Sequence, residues 1–199
     1  MRLRVATLNV WAIPLLSDLI GPRMREIGRR LAALELDAIA FQEVWTPTAR
    51  RRLVEAGREA GLVNAWHRKR LIVGSGLLVL SRLPIEGADF DRFTLRACAS
   101  AKDELLGGKG FARVVLGTPE GRLALVDTHL HAGTPSEGER GARAQRTAQI
   151  VQLAAEVREL AEPVVVIGDL NCLDSDPEHG VLTGLTGLRD LAAETGSRA

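Results

Sequence analysis

Four apolar runs in this chain each end in a side chain able to bind a metal ion or a phosphate. They are TLNVW with Asn9, FQEVW with Glu43, DTHLHA with His129, and GDLN with Asp169 and Asn171. One buried run ending in Asp or Glu is commonplace. A set that supplies two carboxylates, two amides and an imidazole is much rarer. Mg2+ takes oxygen ligands, often one or two carboxylates completed by waters and a substrate phosphate, and Glu43 with Asn9 is such a set. Bound Mg2+ neutralises a phosphoryl oxygen and orients an in-line displacement. Asp169, Asn171 and His129 are then left to position the nucleophile and to stabilise the pentacoordinate charge.

Each residue also has a plainer reading. Asn9 could end a strand as a turn residue, Glu43 could be a solvated carboxylate, and Asp169 with Asn171 could form an Asx-type turn. The convergence of all four runs favours chemistry. Lys109, between Gly108 and Gly110, suits a phosphate-facing loop, although such a lysine is usually only solvated. His131 would face the same side of a strand as His129, as a second substrate contact or as a packed residue. Gly74-x-Gly76 is no dinucleotide fingerprint, and is expected to form a bulge that lets the backbone approach the site. Arg50-Arg51-Arg52 reads as a solvated helix face.

The elements that must place these residues alternate between strands and helices. Strands are expected at Val5–Val10, Asp37–Val44, Phe111–Leu116, Arg122–His129 and Pro163–Ile167, each short and rich in β-branched or apolar residues. Leu71–Ser81 reads as a bulged strand or strand pair, and residues 85–110 as irregular. Met24, Ile27, Leu31 and Leu34 fall on one face of a helix starting near Arg23. Thr46-Pro47 signals an N-cap followed by Pro at the first helical position, with a helix to about Ala60. A longer amphipathic helix is expected over roughly Ala142–Leu160, and a weak one after a loop containing Pro177. Thr118-Pro119-Glu120-Gly121 is a hairpin turn by composition. Helices covering mixed sheets, rather than a doubly wound parallel sheet, fit this order.

Composition narrows the class. In 199 residues the hydrophobic fraction is 46% and the charged fraction 26%, which excludes disordered, collagen-like and coiled-coil chains. The formal charge of +1, from 26 Lys+Arg against 25 Asp+Glu, lacks the basic footprint of a strong nucleic-acid binder. Cys98 and Cys172 have no metal-ligand spacing and do not make a disulfide scaffold. The start MRLRVATLNVW is too polar for a signal-peptide core, and no run reaches the roughly 20 apolar residues of a membrane span. A cytoplasmic or membrane-peripheral location is expected, or a secreted one if a leader precedes. The apolar loop Ile13–Ile20 could dip into a lipid surface or pack under its neighbouring helix.

In TLNVW, QEVW, THLHA and GDLN, in that order, the chain resembles the endonuclease/exonuclease/phosphatase superfamily. Within it, the chain looks most like the neutral sphingomyelinases. The flanks Asn9–Pro14, Arg23-Met24-Arg25, Ser81–Ile85, Gly108-Lys109-Gly110 and Thr186–Asp190 share that resemblance, which covers nearly the whole chain. It implies a DNase I-like four-layer α-β-β-α sandwich and Mg2+-dependent phosphoester hydrolysis, with Mn2+ as a substitute. For this branch the reaction is sphingomyelin to ceramide and phosphocholine, on a phospholipid at a membrane surface and with no obligate protein partner. Carried over, Glu43 is the main metal ligand with Asn9 beside it. His129 contacts the scissile phosphate, and Asp169 and Asn171 orient water and phosphate. The family closes with a late Asp-His motif whose His is the general base; none follows Asn171, and His179, expected in a loop beside Glu178, is not its replacement. The reading is therefore one domain over residues 1–199 that lacks its last strands. The alternatives are a nuclease of the same fold and a non-catalytic phosphate- or metal-binding remnant.

Overall fold

The computed structural model describes residues 2–13, 20–68, 75–95, 97 and 108–195. Strands β1 (Val5–Asn9), β2 (Ala38–Gln42), β3 (Asn64–His67) and β4 (Leu78–Ser81) form one sheet in the order β1-β2-β4-β3. Strands β5 (Ile85–Arg92), β6 (Gly110–Thr118), β7 (Gly121–His129) and β8 (Val164–Asp169) form a second in sequence order. Two pairs are parallel, β1 with β2 and β7 with β8. Parallel neighbours need a crossover, and α1 (Ile20–Leu34) and α3 (Gly138–Glu159) supply one each. Helices α2 (Pro47–Glu59), α4 (Pro177–Thr186) and the short α5 (Leu191–Thr195) complete the described elements.

Strand alternation sorts the side chains into layers. Along β2, Ile39 and Phe41 pack outward with Met24, Leu31 and Leu53 of α1 and α2, while the small Ala38 and Ala40 face the other sheet. There they meet Val79, Val114, Leu116 and Leu125. Phe111, Val126 and Leu130 pack outward against Ile150, Leu153 and Val157 of α3 and Leu182 of α4. The result is the expected α-β-β-α sandwich. The carboxyl ends of β1, β2, β7 and β8 gather at one edge of it, where α/β folds place ligands.

Several local expectations are corrected. Residues 85–92 are a full strand, β5, paired antiparallel with β6. Its sequence IEGADFDR hides this, because Gly and Asp are poor strand formers and the register shifts between Ile85 and Gly87. The four-residue β3 was not anticipated, and within residues 75–81, the described part of the run expected as a bulged strand or strand pair, Leu78–Ser81 is strand. Residues 71–74 (with Gly74), 14–19 of the apolar loop, and Cys98 lie outside the described residues. Helix α3 begins at Gly138, and α4 begins at Pro177, so His179 is helical rather than in a loop. Its Nε2 lies 3.1 Å from Asp190 Oδ2, which ties α4 to the turn before α5.

The start of α2 follows its sequence signal closely. Thr46 Oγ1 accepts from Ala49 N at 3.0 Å, with Pro47 in the first turn. Thr46→Ala is expected to cost about 1 kcal/mol. For a domain of this size, that lowers Tm by about 2–4 °C in a thermal melt. An unchanged Tm would show that the cap contributes nothing.

Candidate active site

Three polar side chains follow directly from strand alternation. Asn9 continues the inward face of Val5 and Thr7 on β1, His129 that of Leu125 on β7, and Asp169 that of Val165 and Ile167 on β8. Glu43 does not. One residue past Gln42 in an extended strand would face the helices with Phe41. Instead the Glu43 backbone is left-handed, φ 59°, which turns its carboxylate to Asn9. Trp11 and Asn171, at φ 45° and 50°, are also left-handed; only Glu35 among other described non-glycine residues shares this conformation. Such backbone costs about 1–3 kcal/mol at each position, and its concentration here marks a site where geometry was placed above stability.

The Asn9 amide holds two carboxylates together. Its Nδ2 donates to Glu43 Oε1 at 2.8 Å and to Asp169 Oδ2 at 2.7 Å. Its Oδ1 accepts from Trp11 N at 2.9 Å, which fixes the orientation of the amide. Arg23 secures that loop, donating from Nη2 to both Val10 O and Trp11 O at 2.9 Å. Asp169 Oδ1 accepts from Asn171 N at 3.0 Å, and Asn171 Nδ2 donates to Leu130 O at 2.9 Å. Lys109 Nζ donates to the same Leu130 carbonyl.

His129 stands over the carboxylates, its Nε2 3.9 Å from Glu43 Oε1 and 3.8 Å from Asp169 Oδ2. These are too long for hydrogen bonds. Burial is the main cause that holds the imidazole pKa down to about 3; the Lys109 charge adds to it and Asp169 opposes it. His129 is therefore a neutral ring at physiological pH, and its approach to the carboxylates is not an ion pair.

His131 goes elsewhere. Strand β7 ends at His129, so alternation no longer applies two residues on. The His131 Nε2 sits 2.7 Å from Glu137 Oε2, which also accepts from Thr134 N at 3.0 Å, and its backbone N–H donates to Gln149. The structure brings together Asn9, Glu43, His129, Asp169, Asn171 and Lys109, and ties His131 into the loop before α3. Gly76, at φ 74°, packs where a Cβ would meet the Trp45 ring at 3.1 Å, and its carbonyl accepts from Val44 N. Trp11 and Arg23 were not singled out as site residues from the sequence, since Trp11 acts through its backbone N–H and Arg23 through backbone carbonyls that no side-chain pattern reveals.

A cleft of about 1000 Å³ opens beside the site, lined by Asn9, Gln42, Asp169, Asn171, Arg143 and Arg146 among others. Arg146 is committed to carboxylates. Its Nε donates to the fully buried Glu178 at 2.8 Å and its Nη2 to Glu139 at 2.8 Å. Arg143 lies 3.2 Å from Glu178 and 4.0 Å from Asp176. Cys172, also on this wall, is half-buried, and its thiol is pushed up to about 11, mainly by burial.

A sequence profile described as the Endonuclease/Exonuclease/phosphatase family matches residues 6–197. The chain belongs to this family. It is 32% identical over 200 residues to human sphingomyelin phosphodiesterase 2, covering 98% of this chain and 47% of that protein. It is 26% identical over 214 residues to the inositol phosphosphingolipids phospholipase C of Saccharomyces cerevisiae, covering 94% and 45%. The chain thus spans under half the length of these relatives. Its fold matches the crystal structure of a Staphylococcus aureus beta toxin double mutant with bound magnesium ions, at a TM-score of 0.80 and 17% identity. That match covers 96% of this chain and 72% of the toxin. At that identity the likeness carries the fold alone.

The residues present can be tested against a divalent cation. Glu43 Oε2 is buried and has no hydrogen-bond partner, so one hard oxygen donor remains unused beside a second carboxylate. Among the described residues no three His, Cys, Asp or Glu side chains form a metal cage. That arrangement suits Mg2+, which is commonly held by one or two carboxylates and completed by water and substrate oxygens. The donor set fits. Asn9 differs from expectation, because its Nδ2, not its carbonyl oxygen, faces the carboxylates, and it would have to turn its amide over to serve as a ligand.

Proposed function

We propose that this chain carries a metal-dependent phosphodiesterase site that acts on a sphingophospholipid and cleaves on the headgroup side of the phosphate. The observation that carries this is the buried, unpaired Glu43 Oε2 beside Asp169, with neutral His129 above both. Glu43 would hold the cation, which supplies charge neutralisation at a phosphoryl oxygen. Asn9 keeps Glu43 and Asp169 at a fixed separation. Asp169, itself oriented by the Asn171 N–H, is placed to accept a hydrogen bond from a water. His129, with its pKa held down, offers a neutral N–H to a phosphate oxygen without pairing permanently with the carboxylates. Lys109 adds a positive charge close enough to be felt at His129.

Sphingomyelin is favoured as substrate because the named relatives act on sphingolipid phosphodiesters. No helix among the described residues is long and apolar enough to cross a membrane. Trp11, 52% exposed next to Asn9, is placed to meet a lipid surface. The nuclease reading is weaker. Arg143 and Arg146 on the cleft wall are matched by Glu139, Asp176 and Glu178, which leaves little net charge to follow a phosphate backbone.

The test is release of phosphocholine from sphingomyelin liposomes by the full gene product with Mg2+. Release that stops on chelation and in Asp169→Ala is expected. Absence of release in wild type, together with Glu43-dependent nicking of plasmid DNA, would transfer the assignment to nucleic acid.

A further inference from the structure

Beneath the layer of Asn9, Glu43, His129 and Asp169 lies a second polar layer that the reaction above does not use. Gln42, fully buried, bridges the two sheets. Its Nε2 donates to Asp127 Oδ1 at 2.7 Å, and its amide also meets the Thr7 hydroxyl at 3.0–3.2 Å. Asp127 is wholly buried on β7. With Oδ1 occupied by Gln42, its Oδ2 is buried without a hydrogen-bond partner. His129 stands two residues further along β7, on the same face, with its Cα about 7 Å away. Its Nδ1 is also buried without a partner, while its Nε2 points at the carboxylates.

Two orphaned polar atoms thus share one face of one strand. Buried polar atoms in native proteins are nearly always satisfied, often by an internal water. Side chains two apart on one strand face are close enough neighbours for a single buried water to reach both. Gln42 is already engaged with Asp127 Oδ1 and Thr7.

We propose that Asp127 is a positioning residue for His129: from Oδ2, directly or through one buried water, it holds Nδ1 and so fixes which ring nitrogen carries the hydrogen. The inference rests on the reading of His129 as the phosphate contact and deepens it. Burial pushes the Asp127 carboxyl well above its ordinary range, only partly opposed by the Gln42 hydrogen bond, which favours the protonated form, and Oδ2, the oxygen that Gln42 leaves unpartnered, is the atom from which that form would donate to Nδ1. A neutral imidazole that accepts at Nδ1 carries its hydrogen on Nε2. The N–H then faces the place where phosphate oxygens gather. The other tautomer would aim a lone pair at Glu43 and Asp169, and at any phosphate between them.

The test is nitrogen NMR of the whole chain labelled with 15N-histidine, without metal or substrate. The chain has 4 histidines, so His129→Gln identifies the relevant pair of signals by their loss. In wild type at neutral pH, Nε2 is expected to give the pyrrole-type shift and Nδ1 the pyridine-type shift. Asp127→Asn keeps an acceptor for Gln42 and a donor towards Nδ1, so both shifts should persist. In Asp127→Leu the two shifts should move towards the averaged values of a ring exchanging between tautomers. A role of Asp127 in stability alone would lower Tm without moving these shifts. If Asp127→Leu folds and leaves the shifts unmoved, the proposal is overturned. Should that variant not fold, the other two decide: hydrogen on Nδ1 in wild type, or a reversal in Asp127→Asn, is equally fatal. The readout needs neither metal nor turnover, so failure of the lipid assay and failure of this inference remain distinct results.

Discussion

Gly168→Ala is expected to leave little or no folded protein. Gly168 precedes Asp169 at the end of β8 and adopts φ 140°, a region that essentially only glycine occupies. A Cβ there would sit 1.9 Å from Thr128 O, 2.8 Å from Thr128 C and 2.9 Å from Thr128 N. All three atoms are backbone, so no rotamer change on the neighbouring strand can make room. Relief requires β8 to move off β7, and the next pair in that ladder is His129 with Asp169. Backbone strain contributes about 1–3 kcal/mol. With the overlap added, the total should exceed about 4 kcal/mol, against a whole-domain stability of about 5–15 kcal/mol. Gly121→Ala separates the two causes. Gly121 has φ 124° but nothing within 4 Å of its would-be Cβ, so that variant bears strain without the clash. Urea unfolding of both is the measurement. Equal losses would mean that the contact between β7 and β8 yields more easily than its geometry implies.

The same strand shows what could be read from sequence. The types of the site residues were legible, because each ends an apolar run and the runs converge. The layer order was legible too, since strands of alternating burial and helices with one apolar face leave few packings. Direction was harder. Period-2 alternation places Asn9, His129 and Asp169 correctly, but it sends Glu43 to the wrong face, and only the left-handed turn at φ 59° corrects this. It also carries His131 along with His129, although β7 has already ended. The orientation of the Asn9 amide depends on a backbone N–H from Trp11, which no side-chain pattern encodes. Asp127 was visible as the residue two before His129 in DTHLHA. What it lacked was a reason to be noticed, because a buried carboxyl on an inner face only stands out once Gln42 is seen to reach it from the opposite sheet. Strand β5 was hidden by its own composition. It forms because β6 offers it a complete edge, and tertiary pairing overrides poor strand propensity.

Glu43→Gln should make the metal-free protein more stable and nearly abolish the proposed phosphodiesterase activity. In the wild type, Glu43 and Asp169 accept from the same Asn9 amide, so two carboxylates are held close together at side-chain exposures of 13% and 28%. The neutral His129 ring does not compensate them. Gln keeps an acceptor for Asn9 Nδ2 and the same backbone while removing one of the two charges. Relief of about 1 kcal/mol is reasonable at a partly buried site, or about 2–4 °C in Tm for a domain of this size. Activity should move the other way, by roughly a thousandfold, since the group that stabilises charge at the phosphate loses its anchor. Mg2+ links the two effects. A ligand that binds only the folded state stabilises it by about 2.7 kcal/mol at one hundred times its Kd. Wild-type Tm should therefore rise with Mg2+ while that of Glu43→Gln stays flat, so that the order of the two proteins reverses between chelator and saturating metal. If Glu43 served the fold alone, the variant would be the less stable protein in both conditions and both would respond to Mg2+ alike. Reversal of the order is the signature of a carboxylate retained at a cost in stability because a cation needs it.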